Sequence, residues 1–179
     1  MRPRVLAMDK RVRPWVLVFL RGCGLLTIVS VIAVCEASQL ARVRIQQTTG
    51  RVGEVIPIVI HFTQRRDRPV TDLVLKLSFD ASKLRYETFD LGNASVHHPK
   101  LECVASVSDN HDLLTLLISA NDPGVTPLPS GELLIVTFRG RSPGVSPIEL
   151  LSNSSASDAI GKPTPLTFAS SRIRIIGQP

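Results

Sequence analysis

Histidines and carboxylates are the side chains of this sequence that could hold a metal ion, because imidazole and carboxylate groups suit zinc and other transition metals. The candidates are His61, His97, His98, His111, Glu102, Asp109 and Asp112. No HExxH or CxxC spacing joins them, and His97 and His98 stand side by side in a turn-rich segment, where neighbouring side chains diverge. Asn153 and Asp158 could offer oxygen atoms to calcium, but both residue types are also common in turns. We therefore predict no metal site.

Residues that could catalyse a reaction are also few. The sequence has no G-x-S-x-G motif for an activated serine. Its candidate thiol, Cys103, lies in a strand-like apolar run, where a buried and inert cysteine is the usual outcome. Glycoside hydrolysis needs two carboxyl groups that converge across a cleft, whereas Asp109 and Asp112 share one short turn. We predict no catalytic residues, no cofactor and no enzymatic activity.

The first 37 residues differ in kind from the rest of the chain. They hold six basic and two acidic residues, a charge-free apolar run over residues 22–35, and small side chains at Cys35 and Ala37. A basic head, a short apolar run and small residues at the cleavage positions are typical of a secretory signal. We predict a signal peptide over residues 1–37 and an exported domain over residues 38–179.

Two other interpretations of this segment are open. About twenty residues, counted back to Trp15, would suffice for an uncleaved membrane anchor, although Arg21 interrupts that span. A lipoprotein site at Cys35 would need a small residue before the cysteine, where Val34 stands. In each case, contact with a membrane is restricted to the N-terminal segment, and the domain is secreted or lies on the cell surface or the periplasmic side.

The net charge of +6 comes mainly from the N-terminal segment. Of the 21 basic and 15 acidic residues, six and two lie in residues 1–37, which leaves fifteen and thirteen. The remaining basic residues are scattered, apart from a cluster over residues 65–68 in a turn-like stretch, so we expect no nucleic-acid binding. Cys103 is the one cysteine after residue 37. Stability must therefore come from burial of apolar surface and not from a disulfide framework.

From Ala41 onward, short runs rich in Val, Ile, Leu and Thr alternate with clusters of turn residues about every ten residues, which is typical of an all-β sandwich. We predict nine strands, near residues 42–47, 54–62, 71–79, 84–90, 101–107, 113–120, 132–139, 147–152 and 171–176. The stretch TDLVLKLSF alternates strictly, which separates a core face from an outer face. The core residues are Leu73, Leu75, Leu77 and Phe79, and the outer residues are Asp72, Val74, Lys76 and Ser78.

The strand that ends in KLSF is interrupted at Asp80, and a second apolar pattern begins at Leu84. An aspartate in this position can accept hydrogen bonds from the residues that follow it and close a short turn. We predict that the chain leaves one sheet here and enters the other, with Leu84 filling the corner. Pro57, inside an apolar strand, should be restricted to an edge or a bulge because proline cannot donate to the ladder.

Five segments, taken in order, resemble the cohesin domain over about residues 42 to 176. They are TTGRVGEVIPIVIHF, TDLVLKLSFDASKLRYETFDLGN, LLTLLISANDPG, SGELLIVTFRG and SPIELLSNSSASDAIGKPTPLTFASSRIRI. The most specific features are the Val52-Gly53 turn, the corner with Phe79, Asp80 and Leu84, Gly131 before LLIVTF, and the late segment ASDAIGKPTPLTF. The resemblance implies a nine-stranded, jelly-roll-like β-sandwich of cohesin type, without catalytic activity.

The resemblance also implies a function and a site. Cohesins bind dockerins, which are small calcium-loaded helical modules of other secreted proteins, and thereby assemble polysaccharide-degrading complexes. Any calcium would belong to that partner. The family binds through the flat face of one sheet, and the matching positions here are Asp72, Val74, Asn121 and Asp122, with Lys76 on the rim of the same patch. Cellulosomal cohesins commonly have a polar or acidic residue where this chain has Val74, and an acidic residue near Asn121.

A carbohydrate-binding or structural cell-surface module is the alternative function. Sugar-binding platforms use exposed, coplanar aromatic rings, whereas the chain after residue 37 has no tryptophan and one tyrosine. The phenylalanines at apolar strand positions are Phe62, Phe79, Phe138 and Phe168. Tyr86 is therefore the one ring that we expect to be exposed. Retention on insoluble polysaccharide that weakens on Tyr86→Ala would favour this alternative.

Overall fold

The computed structural model describes residues 41–98, 100–121 and 126–177, which lie within one compact unit. The N-terminal segment with its predicted signal lies outside the described residues, and so does Asp122. Every helical or strand element within the described ranges is a β-strand, which confirms the predicted all-β class. No helix able to cross a bilayer occurs in this part of the chain.

The described residues form thirteen strands, and nine of them match the predicted ones to within a few residues. The bounds are β1 Ala41–Ile45, β2 Thr48–Arg51, β3 Val55–Gln64, β4 Asp72–Ser78, β5 Leu84–Leu91, β6 Leu101–Val107, β7 Leu113–Ala120, β8 Gly131–Gly140, β9 Gly144–Leu150, β10 Ser155–Ser157, β11 Pro163–Thr164, β12 Leu166–Ala169 and β13 Ser171–Ile176. The predicted count of nine was too low because β2, β10, β11 and β12 are missing from it. Each has two to four residues, which is too short for a recognisable alternation.

The strands form two sheets. The five-stranded sheet has the order β12-β1-β3-β8-β5. The eight-stranded sheet has the order β11-β10-β4-β9-β13-β2. β10 and β9 pair with different parts of one edge of β4, β7 pairs with the opposite edge, and β6 pairs with β7. Consecutive short strands belong to different sheets: β1 and β2 are separated at Gln46 and Gln47, and β12 and β13 at Ser170. The chain therefore crosses between the sheets twice along one side of the sandwich.

One apolar core is formed by side chains from both sheets. In β4, Leu73, Leu75 and Leu77 are buried, as the alternation predicted, while the intervening side chains are partly exposed. Phe138 of β8 is fully buried and contacts Phe79 edge-to-face, with 5.0 Å between the ring centroids. The inward faces of the two sheets thus meet in a single layer of Leu, Ile, Val and Phe side chains.

The predicted corner at Asp80 is confirmed. β4 belongs to the eight-stranded sheet and β5 to the five-stranded sheet. Asp80 Oδ1 accepts a hydrogen bond from Ser82 N, and Asp80 O accepts one from Leu84 N, both at 2.9 Å. The Ser82 hydroxyl, and after it Lys83 with its ammonium at 3.3 Å, holds the pKa of Asp80 below its usual value. Leu84 is fully buried and fills the corner.

β3 and β8 lie inside the five-stranded sheet. β3 is paired with β8 over its residues 55–62, but it is paired with β1 only from Ile60 onward. Pro57 therefore lies where β3 has a paired neighbour on one side only, which confirms the restriction expected for it. Gly53 has a φ of 83° and Gly131 a φ of 130°, which explains the glycines of the two turns because other residues rarely adopt such angles.

Glu87, the extra residue of a β-bulge, forms ion pairs with two arginines. Arg85 of β5 lies directly opposite Arg139 of β8, and like charges in this position repel each other. Glu87 is the extra residue of the bulge, and its Oε1 lies 3.0 Å from Arg139 Nε and 2.5 Å from an Arg85 nitrogen. Hydrogen bonds from Arg139, and then from Arg85, lower the pKa of Glu87 from 4.5 to about 2.

We expect Glu87→Gln to lower the midpoint of thermal unfolding near pH 7, because the two arginines then face each other without a counter-charge. The folded-state pKa lies below the ordinary value of 4.5, so the carboxylate stabilises the fold above pH 4.5 and loses this effect as the pH falls toward about 2. Circular dichroism melts should show the largest difference from the wild type near neutrality and none below about pH 2. Asp90→Asn changes an exposed carboxylate of the same strand, and an equal effect of that control would contradict the assignment.

Candidate functional site

The side chains considered as metal ligands do not come together. His61 lies on β3, His97 and His98 lie between β5 and β6, and His111 lies in the turn between β6 and β7. Asp158 Oδ1 accepts two backbone hydrogen bonds within a turn. No group of three or more His, Cys, Asp or Glu side chains that could hold a metal ion occurs among the described residues. The arrangement therefore offers no support for a metal centre in this part of the chain.

The carboxylates considered for catalysis lie in a turn, and the thiol considered for catalysis packs against the core. Asp112 Oδ1 accepts a hydrogen bond from the Ser108 hydroxyl at 2.8 Å in the turn between β6 and β7. Asp109 is exposed in the same turn, so the two carboxylates do not face each other across a cleft. Cys103 lies on β6 and packs against the core, where burial raises the pKa of its thiol to about 11. Such a thiol is protonated near neutral pH and is a poor nucleophile.

The prediction that Tyr86 is an exposed ring was wrong. Tyr86 is half-buried and contacts Phe138 edge-to-face, with 6.2 Å between the ring centroids, and burial raises the pKa of its phenol. The reason is its register: Tyr86 is paired with Phe138 of β8, and directly paired residues point to the same face of a sheet. No aromatic ring is among the exposed large apolar side chains of the described residues.

The outer face of the eight-stranded sheet carries a row of three apolar side chains, which we call the apolar row. Val74 of β4 is paired with Leu117 of β7, and Leu117 is paired with Val104 of β6. Leu117 is 47% exposed and Val104 is 59% exposed, while Val74 is half-buried. Paired side chains of neighbouring antiparallel strands lie about 5 Å apart, so the three form a continuous apolar strip across three strands.

A hydrogen-bonded acidic row borders this strip on one side. Ser119 of β7 is paired with both Asp72 of β4 and Glu102 of β6. The Ser119 hydroxyl donates a hydrogen bond to Asp72 Oδ1 at 2.5 Å, and Asn121 Nδ2 donates one to Glu102 Oε2 at 2.6 Å. The predicted site residues Asp72 and Asn121 therefore belong to one row, joined by Ser119 and Glu102. Asp122, the remaining residue predicted for this end, is not described.

A row that contains Lys76 borders the strip on the other side. Lys76 of β4 is paired with Thr115 of β7, and Thr115 is paired with Ser106 of β6. Residues two positions apart on a strand are about 6.5 Å apart, so this row and the acidic row flank the apolar row at equal distances. The lysine side chain forms no ion pair within the described residues. Across three rows, the outer face changes from acidic to apolar to basic.

Three residues of this face were missed by the sequence interpretation: Leu117, Val104 and Glu102. In LECVASV, the alternation does place Glu102 and Val104 on the side opposite to the partly buried apolar positions, and this signal could have found them. In LLTLLIS, nearly every position is apolar, so the sequence alone does not separate an outward Leu117 from its inward neighbours. The predicted positions Asp72, Val74, Lys76 and Asn121 all lie on the same face as these three residues.

Two comparisons of the sequence give no match. No family model matches this sequence. No curated protein matches it either.

Solved cohesin structures match this chain closely in shape and weakly in sequence. The third cohesin of ScaC from Acetivibrio cellulolyticus, solved in complex with the ScaB dockerin, has a TM-score of 0.66 at 16% identity, over 76% of this chain and 99% of that chain. The OlpC cohesin of Clostridium thermocellum, also solved with a dockerin, has a TM-score of 0.65 at 13% identity, over 78% and 95%. A non-cellulosomal cohesin from the archaeon Archaeoglobus fulgidus has a TM-score of 0.60 at 16% identity, over 76% and 91%. The described part of this chain therefore has the cohesin fold.

Proposed function

We propose that this chain is an exported, non-catalytic module that recognises a dockerin-type protein through the outer face of its eight-stranded sheet. The observation that carries the proposal is the apolar row of Val74, Leu117 and Val104, placed between an acidic row and a row that contains Lys76. Protein interfaces commonly have an apolar centre within a polar rim. An exposed apolar strip in the middle of a sheet face is unfavourable in water unless a partner covers it.

The structural neighbours support this class of partner. The ScaC cohesin of Acetivibrio cellulolyticus and the OlpC cohesin of Clostridium thermocellum were both solved in complexes with dockerins. In our proposal the calcium belongs to the dockerin-type partner, and this chain supplies only a preformed surface. Export by the N-terminal segment and a place in polysaccharide degradation are parts of the same proposal, and they rest on the sequence pattern and on the family resemblance.

The composition of the face indicates what the partner must present. Val74 and Asn121 stand where cellulosomal cohesins carry polar or acidic groups, so recognition here depends more on apolar burial than on hydrogen bonds at the centre. A helix that lies along the apolar row would offer apolar side chains three or four residues apart, which share one helix face. The acidic row of Asp72 and Glu102 would favour a basic residue on one side of that helix face, and Lys76 an acidic residue on the other side.

Replacing Leu117 with aspartate should weaken partner binding by about thirtyfold or more, because replacing a hot-spot residue at the centre of an interface costs about 2 kcal/mol or more. Biolayer interferometry with the immobilised chain and a panel of calcium-loaded dockerin modules measures this effect. Val145→Asp is the matched control: Val145 lies on the same sheet, in β9, and is also 47% exposed, but it is outside the apolar row.

Three outcomes decide the proposal. Binding by at least one dockerin that is lost with Leu117→Asp and kept with Val145→Asp supports it. Equal weakening by both substitutions contradicts the assigned face. The absence of binding to every dockerin in the panel, with and without calcium, contradicts a dockerin-type partner.

A further inference from the structure

A groove of about 420 Å³ lies on the other sheet, away from the proposed docking face. It is lined by Arg42, Arg44, Gln46, His61 and Thr63. Each of these five side chains can donate a hydrogen bond, from guanidinium, amide, imidazole or hydroxyl groups. No carboxylate and no Phe, Tyr or Trp ring is among the lining residues.

Strand pairing holds the groove residues in fixed positions. Arg42 of β1 is paired with Thr63 of β3, and Arg44 with His61. On its other edge, β1 is paired with β12, where Thr167 and Ala169 stand beside the two arginines. Because β1 is paired on both edges, the backbone that carries the arginines is braced, and the two guanidinium groups project from the same face of one strand.

Within the described residues, the two arginines have no counter-charge of their own. Neither Arg42 nor Arg44 forms an ion pair or a side-chain hydrogen bond with any described residue. Elsewhere in the described chain, Arg65, Arg85 and Arg139 are each paired with a carboxylate. Glu132, which is opposite His61 on β8, accepts a hydrogen bond from Asn93 Nδ2 at 2.6 Å.

We propose that this groove binds an oxyanion group, namely a carboxylate, sulfate or phosphate of a small or glycan-borne ligand. A guanidinium group matches such an anion with two parallel hydrogen bonds, and His61, Gln46 and Thr63 supply further donors around it. The volume falls within the roughly 300–1,000 Å³ of small-molecule sites. The lining has no Phe, Tyr or Trp side chain to act as a stacking platform, so recognition depends mainly on the charged group of the ligand.

The test is an NMR titration of the isotope-labelled full chain with sodium phosphate, sodium sulfate and sodium glucuronate at constant ionic strength, with glucose as the neutral probe. Constant ionic strength is necessary because screening alone changes weak electrostatic binding. We expect amide shifts that localise to residues 42–46 and 61–63 and are absent with glucose. Saturation by phosphate or sulfate alone identifies an inorganic-type anion, saturation by glucuronate identifies an acidic sugar, and each supports the proposal.

The double variant Arg42→Gln/Arg44→Gln should weaken this binding by about tenfold or more, because hydrogen bonds to charged groups are the strong ones. Arg51→Gln/Arg66→Gln is the matched control, since it removes the same charge from exposed positions outside this groove. The wild-type shifts are informative even if a variant does not fold. Shifts that do not localise for any anion, or equal losses in both double variants, would overturn the proposal. Because the groove and the apolar row lie on different sheets, Leu117→Asp should leave anion binding unchanged.

Discussion

Replacing Phe138 with alanine should lower the free energy of unfolding by about 3–5 kcal/mol, which is the range measured when a large buried aromatic side chain is truncated. Phe138 is fully buried in β8, and its ring contacts both Phe79 and Tyr86 edge-to-face. The substitution removes the apolar contacts of one ring and the favourable geometry of two aromatic pairs. Since Phe79 directly follows β4 and Tyr86 lies in β5, the cavity would open where the two sheets meet.

Urea denaturation, monitored by circular dichroism, measures this change. The urea concentration at the midpoint of unfolding should fall, while the dependence of the free energy of unfolding on urea concentration stays the same. Val104→Ala is the control for stability, because a side chain that is 59% exposed should change the free energy of unfolding by no more than about 0.5 kcal/mol. A loss below about 1 kcal/mol for Phe138→Ala would show that the ring does not have the packed environment described here.

Leu84→Ala should cost about 2–5 kcal/mol, because Leu84 is fully buried at the corner where the chain passes from β4 to β5. The hydrogen bonds of the turn at Asp80 remain in this variant, so the loss of stability measures only the burial of the Leu84 side chain. A corner residue contacts both sheets, and the surrounding strands are paired to their neighbours, which limits how far the structure can relax into the cavity.

Asp80→Ala tests the hydrogen bonds of the turn separately from the burial of Leu84. It removes the acceptor for Ser82 N and the ion pair with Lys83 but leaves Leu84 in place, and we expect a smaller loss of about 1 kcal/mol. Urea titrations of both variants give the comparison. If Asp80→Ala were the more damaging of the two, the corner would be held by its hydrogen bonds and not by burial.

The corner shows how far local sequence reasoning extends. Phe79, Asp80 and Leu84 stand within six residues of one another, and the turn chemistry of aspartate acts over the same distance. The change of sheet could therefore be predicted and is confirmed. The short strands β2, β10, β11 and β12 could not be predicted, because a strand of two to four residues forms only when a distant partner pairs with it.

Tyr86 and Leu117 show where such reasoning ends. Both positions depend on pairing with residues far away in the chain: Tyr86 with Phe138, and Leu117 with Val74 and Val104. The bulge at residue 87 follows Tyr86, so it changes the facing of later β5 residues such as Phe89 and not that of Tyr86. In LLTLLIS nearly every position is apolar, so no local pattern separates the outward Leu117 from its inward neighbours.

By itself, the sequence of this protein determined the all-β class, the inward set of each well-alternating strand and the corner at Asp80, because a period of two residues and a short turn are local properties of the chain. Only the tertiary structure decided that Val74, Leu117 and Val104 form one row, and that Arg42 and Arg44 line a groove with His61. The physical reason is register: hydrogen bonds between strands that are distant in sequence decide which outward side chains become neighbours.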